Sequence, residues 1–135
     1  MGILRNSFIF IALTLAQVSL AQVTLDPFFA SQEDTVIVYY DAAQGNGALV
    51  GQPQIYAHAG LITTESSGPT DWKFVQGNWG TADANVAMTA EGNDIHSIEI
   101  DISNFYGFPG GTEVLSLAFV FRTADGSIVG RTAAG

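Results

Sequence analysis

The 135-residue chain has the length of a single domain, and its 13 acidic residues outnumber its 4 basic residues to give a formal net charge of −9. Nucleic acids and anionic lipid surfaces bind through clustered Lys and Arg, so this charge balance excludes both as partners. The absence of cysteine excludes disulfides, thiolate metal sites and a cysteine nucleophile.

The first 21 residues have the pattern of a secretory signal peptide. One positive charge, Arg5, precedes an apolar run over residues 7–20, and small residues at its end predict cleavage before Gln22. The run is short for a membrane span, so we expect no membrane insertion after cleavage. An uncleaved N-terminal anchor is the alternative. The pattern therefore predicts a secreted or cell-surface protein with one domain over residues 22–135.

The remainder of the chain shows no sustained helical period, and short strand-like runs alternate with Gly, Asn, Asp and Pro. The predicted strands, in chain order, cover residues 23–29 (an edge strand, because of Pro27), 35–40 (a central strand), 55–59, 71–76, 86–90, 95–102, 113–122 and 128–130. Long loops are predicted at 41–53 and 61–70, and hairpin turns at 91–94 and 124–127. Seven or eight such strands predict an all-β, immunoglobulin-like antiparallel β-sandwich.

The alternation of side chains within each predicted strand assigns its two faces. In strand 55–59 the small and aliphatic residues point inward, and Tyr56 and His58 point outward. In strand 71–76 Trp72 and Phe74 share one face and Lys73 lies on the other. The inward face of the longest strand is predicted to carry Leu115, Leu117, Phe119 and Phe121, and that of strand 95–102 to carry His96, Ile98, Ile100 and Ile102.

The sequence contains no known catalytic signature, whether of a nucleophile elbow, a zinc protease, a P-loop or a dinucleotide site. His96 is expected to be a histidine at the edge of the core with one hydrogen bond. Glu99 and Asp101 lie two residues apart on a polar face and are expected to be solvated rather than a glycosidase pair. No loop has the spacing of a calcium-binding EF-hand. We therefore expect no metal, no cofactor and no enzymatic activity in this chain. The alternatives are a structural ion bound by loop residues, and an enzyme in which His58 lies within hydrogen-bond reach of a nucleophile or a carboxylate.

The aromatic residues are the candidates for a binding site. Trp79 lies in a glycine-bounded loop, so its ring either packs on the core or faces a ligand. Trp72 is expected to be a core residue between the sheets, with a ligand contact as the alternative. Sugar rings stack their C–H faces on indole and phenol rings. A cluster of Trp79 with Tyr56, His58 and Lys73 would suit such recognition.

Five short motifs occur in an order that resembles a known family. They are Ile-Tyr-Ala-His-Ala-Gly at 55–60, Asp-Trp-Lys-Phe-Val at 71–75, Asn-Trp-Gly at 78–80, Phe-Tyr-Gly-Phe-Pro at 105–109 and Leu-Ala-Phe-Val-Phe-Arg at 117–122. Over residues 25–131 the chain resembles the N-terminal immunoglobulin-like domain of secreted bacterial alpha-amylase-type glycoside hydrolases and of related surface starch-binding proteins.

The resemblance implies a non-catalytic, carbohydrate-associated module that binds a polysaccharide or oligosaccharide such as starch. It implies that His58, Trp72 and Trp79 contribute to the sugar platform, and that a catalytic domain follows in the same polypeptide. It also implies a final strand after Gly135, so the domain is expected to be truncated at its C-terminus. The alternative is a ligand-free spacer that packs against a catalytic neighbour.

Overall fold

The computed structural model describes residues 22–131, and within them the chain forms eight strands arranged in two four-stranded antiparallel sheets. The predicted signal peptide at 1–21 and residues 132–135 lie outside this range. The strands are β1 (Val23–Asp26), β2 (Thr35–Asp41), β3 (Tyr56–Thr63), β4 (Lys73–Gln76), β5 (Thr89–Gly92), β6 (Ile95–Asp101), β7 (Val114–Arg122) and β8 (Val129–Gly130).

The strand order is β1-β2-β6-β5 in the first sheet and β4-β3-β7-β8 in the second. This is the order of an immunoglobulin-like sandwich, in which the first two strands pair in one sheet and the third crosses to the other. The predicted all-β sandwich is therefore confirmed. A 3₁₀ turn at Ala84–Val86 and helix α1 at Ile102–Tyr106 lie between strands. Neither is long or apolar enough to cross a membrane.

The core lies between the two sheets and is built from the inward face of each central strand. In β6, Ile98 and Ile100 are buried whereas Glu99 and Asp101 are exposed, as the alternation predicts. His96 is also buried, but its Nδ1 has no hydrogen-bond partner among the described residues. The residues with no exposed surface are Val36, Val38, Tyr40, Ala42, Leu49, Ile55, Ala57, Ala59, Leu61, Val86, Ile100 and Arg122.

The hairpin between β5 and β6 turns where the sequence predicts. Gly92, Asn93 and Asp94 have φ values of 96°, 55° and 61°. This left-handed region is accessible to glycine and is tolerated by Asn and Asp, which explains why this short segment reverses the chain. The preceding strand is shorter than the predicted 86–90, because Ala84–Val86 form a 3₁₀ turn whose N-cap Asp83 accepts a hydrogen bond from the Asn85 backbone.

Several strands differ from their predicted bounds, and β1 ends at Asp26 rather than at residue 29. Strand β3 continues through Gly60 to Thr63, and Leu61 and Thr63 are buried, so the predicted loop at 61–70 begins later. Strand β4 begins at Lys73 rather than at 71. Phe74 has φ 53°, which breaks the predicted alternation and brings its ring within 6.3 Å of the ring of Phe108.

Leu115 is 60% exposed, so the prediction that it points into the core is wrong. The pairing of β3 with β7 passes from Ile62↔Ser116 to Thr63↔Val114, so Leu115 is the extra residue of a β-bulge. On the side of β7 that faces away from β3, β8 pairs only with Phe121 and Arg122. The rest of this edge of β7 has no neighbouring strand in residues 22–131. Phe121 is buried and its ring stacks on that of Tyr40, with centroids 4.2 Å apart, whereas Leu117 and Phe119 are only half-buried.

Candidate functional site

The outer face of β3 provides the base of the candidate site. Tyr56 and His58 point outward and are half-buried, whereas Ala57 and Ala59 between and after them have no exposed surface. The outward placement of Tyr56 and His58 therefore follows the prediction. Because the inward methyl groups are held in the core, the strand is a rigid support for the side chains on its other face.

Arg122, at the end of β7, is fully buried next to this face, directly opposite Tyr56 in the strand pairing. Its guanidinium group donates only to backbone carbonyl oxygens, and among the described residues no carboxylate forms an ion pair with it. The acceptors are the carbonyl oxygens of Thr81 (3.1 Å), Thr123 (3.0 Å) and Ala124 (2.8 Å) for Nη1, and of Asn78 (2.9 Å) for Nη2. These bonds tie the loop around Trp79 to the β7–β8 turn.

The loop that carries Trp79 is closed by its own hydrogen bonds as well. Thr81 donates from its backbone N–H (3.2 Å) and its hydroxyl (2.9 Å) to the Asn78 carbonyl oxygen. Asn78 donates from its backbone N–H to the Asp83 carboxylate at 2.9 Å. The backbone on both sides of Trp79 is therefore fixed by Arg122, Thr81 and Asp83.

Trp79 is 48% exposed, so it is not sealed in the core. Its ring lies 5.3 Å from the guanidinium carbon of Arg122, which is also 5.5 Å from the ring of Tyr56. A guanidinium group at this distance is attracted to the electron-rich face of an aromatic ring. The buried charge thus contacts both aromatic rings while one part of the indole remains open to solvent.

His58 joins the two tryptophans into one row, which we call the aromatic row: Trp79, His58 and Trp72. The imidazole lies 5.3 Å from the Trp79 ring at 90° and 6.2 Å from the Trp72 ring at 32°. Trp72 packs over Gly60 on the outer face of β3 and donates from Nε1 to the Pro69 carbonyl oxygen at 3.1 Å. The expectation that Trp72 lies between the sheets is therefore wrong, because the outer face accommodates it where β3 has no side chain.

The protonation states of the site follow from burial and from Arg122. Burial, and then the charge of Arg122, lower the pKa of His58 below its ordinary value, so the imidazole is neutral at pH 7. The backbone N–H groups of Asn78 and Asn85, with the more distant charge of Arg122, lower the pKa of Asp83. The site therefore carries an ionised Asp83, a charged Arg122 and a neutral histidine.

Lys73 does not lie in the aromatic row. Its Nζ is 3.1 Å from Asp71, and its side chain lines a separate cleft together with Phe74, Glu65 and Glu113. Of the five predicted site residues, the structure brings together Trp79, His58, Tyr56 and Trp72. Arg122 is not among the residues predicted from the sequence. Its only signal there is that a charged residue follows an apolar strand.

This arrangement is suited to binding. In the described part of the chain Nδ1 of each histidine has no hydrogen-bond partner, and no group of three or more His, Asp or Glu side chains converges as a metal site would require. Flat apolar rings beside fixed polar groups instead offer surface for stacking and hydrogen bonding.

Comparison with known proteins found no matching family model and no significantly similar curated protein.

Proposed function

We propose that this domain is an exported, non-catalytic module that binds a polysaccharide on the aromatic row. The observation that carries the proposal is the half-exposed indole of Trp79, held next to His58 and Trp72 on the outer face of a rigid sheet. Sugar rings present C–H faces that match such apolar rings, and Trp is among the residues that contribute most to binding interfaces.

The fixed position of Trp79 supports the same proposal. Arg122 bonds to the carbonyl oxygens of Asn78 and Thr81, which flank Trp79 in the sequence. A side chain that is already held in place loses less conformational freedom when a ligand binds, so more of the contact energy appears as affinity. An exposed indole on an unsupported loop would lack this advantage.

Charge narrows the ligand class to neutral glycans. The chain carries 13 acidic residues, and Asp83 and Asp125 lie in loops beside the row with pKa values lowered by backbone and side-chain hydrogen bonds. An ionised rim repels uronic acid or sulfated polymers and leaves neutral polymers unaffected. Starch, the α-glucan that the sequence resemblance implies, is the first neutral polymer to test.

The test measures retention on insoluble polysaccharides with protein recovered from cells that express the full chain. We expect retention on starch, and none on an anionic polymer such as pectin. Trp79→Ala should reduce the affinity by about tenfold or more, because it removes the exposed ring. Val50→Ala is the matched control, since Val50 is 49% exposed and lies in a different loop. Equal retention of the Trp79 variant and the wild type contradicts the proposal.

A second candidate function is a ligand-free spacer that packs against a catalytic domain of the same polypeptide. The observation that favours it is the exposed apolar surface at Phe28 (78%) and Leu115 (60%). The gene sequence beyond codon 135 provides the first test, since a glycoside hydrolase reading frame there would identify the neighbour. If the domain is such a spacer, the Trp79→Ala variant and the wild type show the same retention on every polysaccharide.

A further inference from the structure

A cleft lies beyond the aromatic row, at the end of the sheet where β3 ends and β4 begins. It has a volume of about 490 Å³, and its walls come from residues 63–65, from Lys73 and Phe74, and from the loop at 109–113. Strand β4 is one edge of this sheet and β8 is the other. The cleft is therefore bounded by segments within the described range, on the side of β3 away from the last strand.

Phe74 lines this cleft because a β-bulge redirects its side chain. In the pairing of β3 with β4, Phe74 and Val75 together lie opposite the single residue Gly60. Phe74 has φ 53°, which is an outlier for a bulky residue, yet its ring is 38% exposed. Burial in the core therefore does not account for the backbone strain, and strained residues of this kind cluster at ligand sites.

The walls beside Phe74 are tied together and carry hydrogen-bond acceptors. The Thr64 backbone N–H donates to the Glu113 carbonyl oxygen at 3.2 Å, which joins the two loops. The side chains of Glu65 and Glu113 are exposed in the cleft, and neither forms an ion pair within residues 22–131. Lys73, the cation of the lining, is already held in its ion pair. The cleft thus combines an aromatic ring with two carboxylates.

We propose that this cleft is a second sugar subsite, which takes the continuation of the glycan chain bound on the aromatic row. The subsite depends on the proposed function, because the row holds the rest of the chain. One sugar ring stacks its C–H face on Phe74, and its hydroxyl groups donate to the carboxylates of Glu65 and Glu113. The same carboxylates repel anionic polymers, so the subsite favours a neutral chain.

The row and the cleft follow one line along β3, so a single chain can occupy both. His58 contacts the ring of Trp79, Trp72 lies over Gly60, and the cleft begins at Thr63. From His58 to Thr63 the strand advances five residues, which is roughly 17 Å. A disaccharide is too short for this span, whereas a chain of several sugar units covers it.

The experiment measures by calorimetry how tightly the exported full chain binds a short and a long oligosaccharide. The probes are maltose and maltoheptaose, and the wild type should bind maltoheptaose about tenfold more tightly. Phe74→Ala should abolish this difference by weakening only the binding of maltoheptaose, whereas Trp79→Ala should weaken the binding of both sugars. Phe29→Ala is the matched control, since Phe29 is 87% exposed and lies outside the cleft.

A second variant and a second measurement guard against a change that is merely structural. Phe74→Gly removes the ring and adopts the positive φ without strain, so it keeps the assay interpretable if the alanine variant fails to fold. Hydrogen exchange locates the contact directly. Maltoheptaose should slow exchange in the loop at 109–113 of the wild type, and maltose should not.

The outcomes separate the subsite from the function of the aromatic row. If the wild type binds neither sugar, or if Trp79→Ala leaves both affinities unchanged, the proposed function fails and the subsite fails with it. If Trp79→Ala weakens the binding of both sugars but the Phe74 variants bind maltoheptaose as the wild type does, the subsite alone is overturned. Folded Phe74 variants that lose affinity for maltose equally also overturn it, because Phe74 would then act through the row.

Discussion

The guanidinium carbon of Arg122 lies 5.3 Å from the ring of Trp79, and the hydrogen bonds of this buried cation go entirely to backbone carbonyl oxygens. A buried charge is expensive unless its polar atoms are satisfied. Here Nη1 and Nη2 are satisfied by a loop and a turn that are distant in sequence, whereas Nε has no partner among the described residues. The shape of the outer face therefore depends on one side chain that solvent does not reach.

The first prediction concerns this side chain. Arg122→Met removes the donors to the Asn78, Thr81, Thr123 and Ala124 carbonyl oxygens and should lower the free energy of unfolding by about 2–4 kcal/mol. Arg122→Lys retains the charge but reaches fewer acceptors, so its effect should be intermediate. Urea denaturation measures both variants.

Arg131→Met is the matched control for Arg122, because Arg131 is exposed and the hydrogen bonds it makes to Asn46 come from its backbone. Its free energy of unfolding should remain within about 0.5 kcal/mol of the wild type. If Arg122→Met is as stable as this control, the guanidinium group does not organise the loop.

The second prediction concerns the contact between Gly60 and Trp72. A Cβ atom at Gly60 would lie 2.9 Å from Cβ and Cε3 of Trp72, closer than such atoms approach. Gly60→Ala should therefore displace the indole, cost about 1–3 kcal/mol of stability and weaken retention on the polysaccharide. Gly68→Ala, where no atom lies within 4 Å of the added Cβ, should leave both quantities unchanged. Thermal unfolding of the two variants distinguishes local crowding from a general cost of replacing glycine.

The third prediction is a loss of stability in mild acid. Burial lowers the pKa values of both His58 and His96 from their ordinary value of 6.5, with the charge of Arg122 adding to the effect at His58. The folded state therefore binds these protons less readily than the unfolded state does. The stability that the two neutral histidines contribute is fully present above about pH 6.5, and it is lost as the pH decreases through their folded-state pKa values.

The measurement is the urea midpoint at about pH 7.5 and about pH 5.5, which should be lower at the acidic value. Three carboxylates also have lowered pKa values, but their ordinary value is 3.8: Asp71, Asp83 and Asp125. The stability that these ionised groups contribute to the fold is therefore lost only at lower pH. In the double variant His58→Gln, His96→Gln the difference between the two midpoints should disappear. A midpoint difference that persists in this variant would assign the effect to other groups.

The fourth prediction concerns the N-terminus. Cells that export the chain should release a protein whose first residue is Gln22, since small residues precede this position in the pattern that signal peptidases recognise. Sequencing of the N-terminus of the exported protein provides the measurement. Replacing Ala21 with Glu should retain the leader on the protein, and release that is unaffected by this change would place the cleavage elsewhere.

The parts of the fold that were predicted correctly are those that local sequence determines. The alternation of β6 and the turn at Gly92–Asp94 need only neighbouring residues, and the outward position of His58 follows from the buried alanines beside it. The sandwich itself follows from the number and spacing of the strands.

The remaining features depend on contacts between distant segments. Gly60 resembles a strand end in the sequence, yet it marks the place where Trp72 lies against β3. Arg122 acquires its role from carbonyl oxygens about forty residues away, at Asn78 and Thr81, and no local pattern indicates them. Leu115 leaves the core because of a bulge that only the pairing with β3 defines.

Both tryptophans of the chain belong to the aromatic row. The intrinsic ultraviolet emission of the folded protein therefore originates at the candidate site, so the domain carries a built-in optical reporter of whatever occupies that surface. Trp72→Phe would leave Trp79 as the sole emitter, and quenching by a small solute would then report the accessibility of this one indole without any attached dye.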